Sequence, residues 1–358
     1  MFNYVDLSIA FLIALISTYL LTFPVKKLAF KLKVLDFPNH RKIHKAITPR
    51  LGGLAIFLGV ILAGLYLQPN HEHLPEIFLG ALVIVITGAL DDKYQIRPII
   101  KLSGQLIAAS FLISSGLIID KITIPVFGLV DLGFISVFVT VLWIVGITNA
   151  INLIDGLDGL ATGVSTIALI SMFIMAIVDV QLIAASLSII LIGANIGFLF
   201  HNFYPAKIYM GDTGSNFLGY MIAVVSILGL FKNITLFSFI IPIIVLAVPI
   251  FDTLFAILRR AYNKENIMLA DNKHIHYRLL QAGYSHRKTV LIIYCFGALF
   301  GCLAILFSNT NISITLIVTF IVIFIIHVFA EFTGLVLNGK RPIVDSVKKI
   351  TKKRKQDQ

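Results

Sequence analysis

Acidic residues are scarce in this chain, so where they fall is informative. Of 18 Asp and Glu, several sit in short motifs: Asp91–Asp92 in GALDDKYQIRP, Asp155 and Asp158 in NAINLIDGLDGLA, Asp212 in FHNFYPAKIYMGDTGSNFLG and Asp252 in VPIFDTLFAILRR. His274 and His276 add an imidazole pair in ADNKHIHYRLL. Two adjacent carboxylates raise each other's pKa unless a cation stands between them. The simplest such cation is Mg²⁺, a hard ion that takes carboxylate and phosphate oxygens and keeps several waters. Zinc is the weaker reading, because His-x-His with distant acids lacks a third His or Cys at ligand spacing. Lys101, Lys207, Arg259 and Arg260 bring positive charge to the same motifs. Acids, bases and a divalent ion together describe a site for diphosphate chemistry. Tyr209, three residues before Asp212, is placed to stack on a base, although interfacial aromatics are also common as plain membrane anchors.

Each motif also has a plainer reading. Asp91–Asp92 could balance Lys93 and Arg97 at a loop edge. Asp155 and Asp158 both precede Gly, and Asp-Gly is a common turn dipeptide. Gly211–Asp212–Thr213–Gly214 suits a helix N-cap, which is also where a phosphate is favoured. Asp252 could pair with Arg259 or Arg260, and the two histidines could lie in a solvated loop. What weighs against the plain readings is coincidence: all five motifs fall on one side of the chain's membrane topology, which the basic residues fix separately.

That topology follows from composition. The 358 residues are 58% hydrophobic and 13% charged, with a mean hydropathy of +0.96. An ordinary globular domain carries about 25% charged residues, so a soluble enzyme is excluded and a disordered chain with it. Eleven apolar spans can be read: 5–25, 51–68, 76–91, 101–119, 134–150, 159–178, 181–200, 213–230, 235–258, 288–308 and 312–337. Most have the 17–25 residues that cross about 30 Å of hydrocarbon; those at 76–91 and 134–150 are short and run into polar residues. Of the 29 Lys and Arg, all but Lys121 and Lys232 fall in one set of loops. The excess of basic residues marks the cytosolic side. The expectation is an all-α polytopic membrane protein of about 11 transmembrane helices, with the N-terminus outside and the C-terminus cytosolic. The first span lacks a basic n-region and a small-residue cleavage site and is read as a retained helix. Residues 1–338 form one transmembrane domain, and 339–358 a basic cytosolic tail.

The net charge of +11 is explained by cytosolic loops facing anionic lipid and requires no nucleic acid. Acids near hydrocarbon cost about 2.5–3.5 kcal/mol each at a helix centre, and persist where they bind something or line a wet cavity. Cys295 and Cys302 share one helical face and read as buried small hydrophobes. A cation-coupled transporter would also put acids in a helical bundle, but near the midplane and with polar groups on both sides. The external loops hold only Glu72, Glu76, Asp120, Asp131 and Asp179, in no repeated constellation.

The motifs, with the early loop RKIHKAITPRLGG, NFYPAKIYMGDTGS and the HIH loop, resemble those of the polyprenyl-phosphate N-acetylhexosamine-1-phosphate transferase family over nearly the whole chain. The pattern is most similar to the WecA-like branch and its TagO/TarO type. The resemblance implies transfer of N-acetylglucosamine-1-phosphate from UDP-N-acetylglucosamine to undecaprenyl phosphate, with release of UMP. It implies a multi-pass protein of the bacterial cytoplasmic membrane, a site on the cytosolic face, and a place at the first step of wall teichoic acid or a related glycopolymer. The MraY type, which transfers phospho-N-acetylmuramoyl-pentapeptide, shares the core motifs and is the alternative. Mg²⁺, with Mn²⁺ as a substitute, is the implied cofactor, and dimerisation is a family-level expectation that no motif demands.

Residue by residue, the resemblance places Asp91 and Asp92 by the diphosphate and metal, one of them assisting deprotonation of the lipid phosphate. Asn152 and Asp155 line the catalytic pocket. Asp158 and Asn202 help hold the uridine, on which Tyr209 stacks. Asp212 ligates the metal, with Asp91 beside it. His274, His276 and Arg260 contact phosphates or sugar, and Lys101 contacts phosphate. Where the WecA-like branch often has a further His, this chain has Tyr277, which leaves the third imidazole without a counterpart. Direct attack by the lipid phosphate on the sugar-linked phosphorus is favoured over a two-step route through a phospho-aspartate at Asp92 or Asp155.

Overall fold

The computed structural model describes residues 3–37, 47–124, 128–231, 240–264 and 274–308, with five single positions between 321 and 331. In chain order the elements are α1 (Tyr4–Leu32), β1 (Leu35–Asp36), β2 (Thr48–Pro49), α2 (Gly52–Leu67), α3 (Leu74–Tyr94), α4 (Pro98–Ser114), β3 (Lys121–Ile124), β4 (Gly128–Asp131), α5 (Ile135–Ile154), α6 (Leu160–Val178), α7 (Leu182–Asn202), α8 (Gly211–Ser226), α9 (Ile240–Val245), α10 (Ala247–Tyr262), α11 (Ile275–Gln281) and α12 (His286–Ser308). A π-helical turn, Ile227–Phe231, extends α8. The span at 312–337 and the tail at 339–358 lie outside the described residues apart from those single positions, as do residues 235–239 of the ninth span.

Among the described residues, six helices, α1, α3, α5, α6, α7 and α12, are long and apolar enough to cross a membrane. The helices α2 and α4 are apolar but shorter, at 16 and 17 residues. The two spans expected to be short are longer than their apolar runs. Here α3 has 21 residues and α5 has 20, because each helix continues through its polar end and carries Asp91–Asp92 or Asn152 in its last turns. Pro75 and Pro98 stand at the first turns of α3 and α4, where a missing N–H costs nothing. Lys33 and Gln95, in left-handed conformation, end α1 and α3.

Two short antiparallel ladders interrupt the helices. The strand β1 pairs with β2, and β3 with β4. Strands of two to four residues are too short to leave an alternating pattern, so the sequence gives no sign of them.

The core is built round α8. Every α8 residue except Asp212 is buried, and the helix packs against α3, α5 and α2. A helix enclosed on all sides can be apolar all round. The outer helices do the reverse of a soluble protein's and expose large apolar side chains, such as Leu12, Ile16 and Leu20 on α1 and Leu291, Leu299 and Leu306 on α12. Even α10 is inside out, burying Asp252 and Arg260 while exposing Leu254, Ile257 and Leu258.

Up-and-down connectivity gathers polar ends. The C-terminal ends of α1, α3, α5 and α7 and the N-terminal ends of α2, α4, α6 and α8 are joined in pairs by four connections. All the motif residues from Asp91 to Asp212 sit at those joined ends. The β3–β4 hairpin, which joins the other ends of α4 and α5, is at the opposite end of the bundle.

Candidate active site

The site begins with a helix cap supplied from another helix. Asp92, near the end of α3, accepts from Asp212 N at 2.8 Å through Oδ1, and from Thr213 N at 2.9 Å and Thr213 Oγ1 at 2.6 Å through Oδ2. Its side chain is fully enclosed. Those N–H groups are the unpaired donors of the first turn of α8, where a negative charge is also favoured by the helix dipole. Gly211, at φ +71°, fits because a Cβ there would meet Asp92 Oδ2 at 2.5 Å. The approach of α3 to α8 depends on Gly88, one turn before Asp92. A Cβ on it would lie 2.6 Å from Thr213 Cα.

Beside this cap, Asp91 and Asp212 converge on one cation. Lys101 Nζ, from the first turn of α4, is 3.1 Å from Asp91 Oδ2 and in contact with Asp212 Oδ2. The other Asp212 oxygen faces Arg50, whose guanidinium lies 3.5 Å from Asp212 Oδ1, 3.7 Å from Asp92 Oδ1 and 3.7 Å from Asp36 Oδ1. Burial alone would lower the pKa of Arg50, but Asp92, Asp212, Asp36 and Asp155 outweigh it and raise it. Arg50 therefore stays charged among carboxylates from three elements.

Arg50 and Asp36 are the site residues that sequence reasoning missed. The segment Thr48–Gly53 carries Arg50 as a strap along the residues before α8. Tyr209 N donates to Pro49 O at 2.8 Å, Gly52 N to Tyr209 O at 3.0 Å and Gly53 N to Met210 O at 2.9 Å. A Cβ on Gly53 would lie 2.0 Å from Gly214 N, so only glycine lets the strap seat on α8. The available signal was the Pro-Arg-Leu-Gly-Gly run directly before the second span.

The other side of the site is the loop from Asp155 to Gly159. Asp155 follows the last turn of α5. Its carboxyl is pushed up to about 7, chiefly by withdrawal from water, with the charge of Asp212 adding to this and Arg50 opposing it. Asn152 Nδ2 donates to Ser215 Oγ at 2.8 Å, which ties α5 to α8. Asp158 Oδ2 accepts from Ala206 N at 2.9 Å. Asn202 lies beneath the loop, accepting from Gly159 N at 3.1 Å and Thr162 Oγ1 at 2.8 Å and donating to Ile208 O at 3.1 Å. Tyr209 stands over the same loop. Its phenol is pushed up to about 12 by burial and then by the nearby Asp158 charge, against a hydrogen bond with Thr48.

The histidine pair reaches this loop through Asp252. His274 Nδ1 is 2.8 Å from Asp252 Oδ2, and Ile275 N donates to Asp252 Oδ1 at 3.0 Å. The described partner of Asp252 is thus the histidine segment, where the sequence had suggested Arg259 or Arg260. His276 is 1% exposed, and among the described residues neither ring nitrogen has a hydrogen-bond partner. A Cβ on Gly156 would touch His276 Nε2 at 2.3 Å, so the ring lies directly against the Asp155–Gly159 loop. Burial drives its pKa down to about 4. Tyr277 leans on the His276 ring at a centroid distance of 4.2 Å. Arg260 is the other buried polar residue of α10, which lies against α5.

The donor set suits a hard divalent cation. Asp91 and Asp212 offer carboxylate oxygens to one shared position, held by an ammonium here, and the two cysteines are far along the chain on α12. Among the described residues, five carboxylates (Asp36, Asp91, Asp92, Asp155 and Asp212) face two cations, Arg50 and Lys101. Among the described residues no three His, Cys, Asp or Glu form a ready-made cage. Asp91 and Asp212 are the residues that could hold Mg²⁺, an ion commonly bound by one or two carboxylates completed by substrate phosphates and water.

Comparison with known proteins gives this geometry a context. The sequence profile of glycosyl transferase family 4 matches residues 74–230, the stretch from Asp91 to Asp212 included. The chain is 46% identical over 350 residues to a probable undecaprenyl-phosphate N-acetylglucosaminyl 1-phosphate transferase of Bacillus subtilis, covering 96% of this chain and 97% of that protein. It is 35% identical over 338 residues to the decaprenyl-phosphate N-acetylglucosaminephosphotransferase of Mycobacterium tuberculosis, covering 85% and 83%. It is 29% identical over 308 residues to an undecaprenyl-phosphate alpha-N-acetylglucosaminyl 1-phosphate transferase of Pasteurella multocida, covering 82% and 86%.

Proposed function

The chain belongs to glycosyl transferase family 4, and from that premise we propose that it transfers N-acetylglucosamine-1-phosphate from UDP-N-acetylglucosamine to undecaprenyl phosphate, releasing UMP. The observation that carries this reading is the convergence of Asp91, Asp212, Lys101 and Arg50 at one end of a membrane-spanning bundle. Such a site suits a diphosphate and an anionic lipid head. The names of the relatives supply the sugar and the polyprenyl acceptor. The charge asymmetry of the loops supports a site on the cytosolic face, where a nucleotide sugar is made, and a first step in wall teichoic acid or related glycopolymer assembly is the place in metabolism that this product suits.

In the reaction, an oxygen of the lipid phosphate attacks the sugar-linked phosphorus, the bond to the UMP oxygen breaks, and UMP leaves with the electron pair. A phosphate monoester has a second pKa near 6, so the nucleophile is already mostly dianionic and needs little help from a base. The difficulty is bringing anions together. Lys101 and Arg50 lower that repulsion, and Asp91 and Asp212 are the residues that would hold Mg²⁺. When bound, the ion neutralises the diphosphate and the departing UMP. Tyr209 and Asp158 would flank the nucleoside, and His276 backs the Asp155–Gly159 loop that lines the site. The cap weighs against a phospho-aspartate at Asp92, because both of its oxygens are engaged by α8.

The test is UMP release by purified protein given undecaprenyl phosphate and Mg²⁺, with UDP-N-acetylglucosamine and UDP-N-acetylmuramoyl-pentapeptide offered in parallel. Turnover with the first alone, abolished by EDTA and by Asp212→Asn, is expected. Turnover with the second alone would move the chain to the MraY type.

A further inference from the structure

Three amide side chains meet inside the bundle, one helical turn from the site. Asn149 Nδ2 of α5 donates to Gln105 Oε1 of α4 at 2.8 Å. Gln105 Nε2 lies 3.4 Å from both Asn149 Oδ1 and Asn216 Oδ1, the last on α8. Asn216 Nδ2 in turn donates to Asp212 O at 2.8 Å. Gln105 and Asn216 are buried and Asn149 half-buried. Each amide is one helical turn from a site residue on its own helix: Gln105 from Lys101, Asn149 from Asn152, Asn216 from Asp212.

Polar side chains in a membrane interior are costly unless they pair with one another. Apolar residues would fill this junction more cheaply, so the amides need a reason. Apolar packing tolerates small sliding of one helix along another. Paired amides do not, since donor and acceptor directions are fixed and a slip leaves buried groups unpaired. Buried polar pairs that set register are well attested in helical assemblies.

We propose that Gln105, Asn149 and Asn216 act as a register clamp that fixes the axial and rotational positions of α4, α5 and α8, and so brings Lys101, Asn152 and Asp212 together. The clamp residues position the site and do not touch substrate. The proposal rests on the transferase reading for its kinetic readout only.

Misplacing reacting groups by about 1 Å can cost about a hundredfold in rate. Gln105→Leu and Asn216→Leu are therefore expected to lower kcat about 10- to 100-fold. Both KM values are expected to stay within about twofold, and the thermal midpoint to fall modestly, since each leucine leaves a buried amide without its partner. The exchange Gln105→Asn with Asn149→Gln keeps the paired groups and their combined reach. It should recover most of kcat, and it decides the matter if a leucine variant fails to fold. Spin labels at Ile100→Cys and Leu153→Cys, exposed near the site ends of α4 and α5, read register without turnover. With Cys295 and Cys302 replaced by Ala, their distance distribution should broaden or shift in Gln105→Leu. Folded leucine variants with wild-type kcat and an unmoved distance distribution would overturn the clamp. A kcat loss that only follows the thermal midpoint, unrelieved by the exchange, would overturn it too. A silent wild type with a shifted distribution in Gln105→Leu would count against the transferase reading and leave the clamp supported.

Discussion

Asp92 and Asp91 are chemically identical neighbours with different work, and substitution should separate them. Asp92 accepts three hydrogen bonds from the start of α8. Asparagine has one acceptor oxygen and turns an amide toward those donors. Asp92→Asn should lose turnover and about 1–2 kcal/mol of stability, the usual cost of a lost cap, read as a lower thermal midpoint in detergent. Asp91 meets Lys101, so Asp91→Asn should lose turnover with the midpoint unmoved. Equal midpoints for the two variants would argue against the cap. Arg50→Gln leaves the carboxylate cluster with one cation fewer. KM for the nucleotide sugar should rise roughly tenfold, or about 1.4 kcal/mol. Arg50→Lys should recover only part of this, because an ammonium lacks the planar fork. An unchanged KM would remove Arg50 from the site. His276 is buried neutral, with its pKa down at about 4. The unfolded chain takes up a proton near 6.5 and the folded protein does not until near 4, so His276's contribution is full above pH 6.5 and is lost as pH falls toward 4. Stability should decline over that window at up to about 1.4 kcal/mol per pH unit from this group. His276→Gln should flatten the slope of thermal midpoint against pH; an unaltered slope would place the titration elsewhere.

At the scale of elements, the site is made by helix ends approaching more closely than side chains usually allow. Gly88 of α3 and Gly53 at the start of α2 both press on the backbone of the first turn of α8. The Cβ of Gly88→Ala would sit 2.7 Å from Asp212 O and 2.6 Å from Thr213 Cα, both backbone atoms with little room to move. The helices must then separate, at a cost of about 1–3 kcal/mol for overpacking, and the Asp92 cap stretches with them. Gly88→Ala should lose turnover out of proportion to that stability loss, since the cap and the Asp91–Asp212 seat lie at the point of contact. A variant with a lowered thermal midpoint but wild-type kcat would show that the approach supports packing alone. Asp252 does similar work at longer range, anchoring the histidine segment to α10 through His274 Nδ1 and Ile275 N.

For the whole molecule, alternating helix ends put every candidate site residue at one end of the bundle, and the β3–β4 hairpin at the other. By the distribution of Lys and Arg, the site end is expected to face the cytosol. In a chain without Cys295 and Cys302, Asp131→Cys in the hairpin should react with a membrane-impermeant maleimide added to intact cells. Lys207→Cys, in the loop before α8, should react only after permeabilisation. The opposite pattern would invert the orientation and separate the site from cytosolic nucleotide sugars.

Much of this was legible along the chain because the signals are local. Apolar runs of about 20 residues fix where helices cross, since each must satisfy its own backbone in hydrocarbon. The bias of basic residues sets the expected orientation, and scarce acids in short motifs mark the candidate site. Where helices end was less legible: α3 and α5 run on through polar residues that hydropathy alone reads as loop. Which carboxylate does what could not be read at all. Asp91 and Asp92 differ only in the direction their side chains leave α3, and that direction matters only once α8 is packed alongside. Arg50 showed as one basic residue among eight in its loop, and Gln105 as a polar residue inside an apolar span. Their partners lie on α3 and α8 for the one and on α5 and α8 for the other, up to 162 and 111 positions away. Composition and spacing determined the membrane, the helices and the site's chemistry. Only the tertiary packing decided which oxygen faces which cation, because those contacts join residues that the sequence holds far apart.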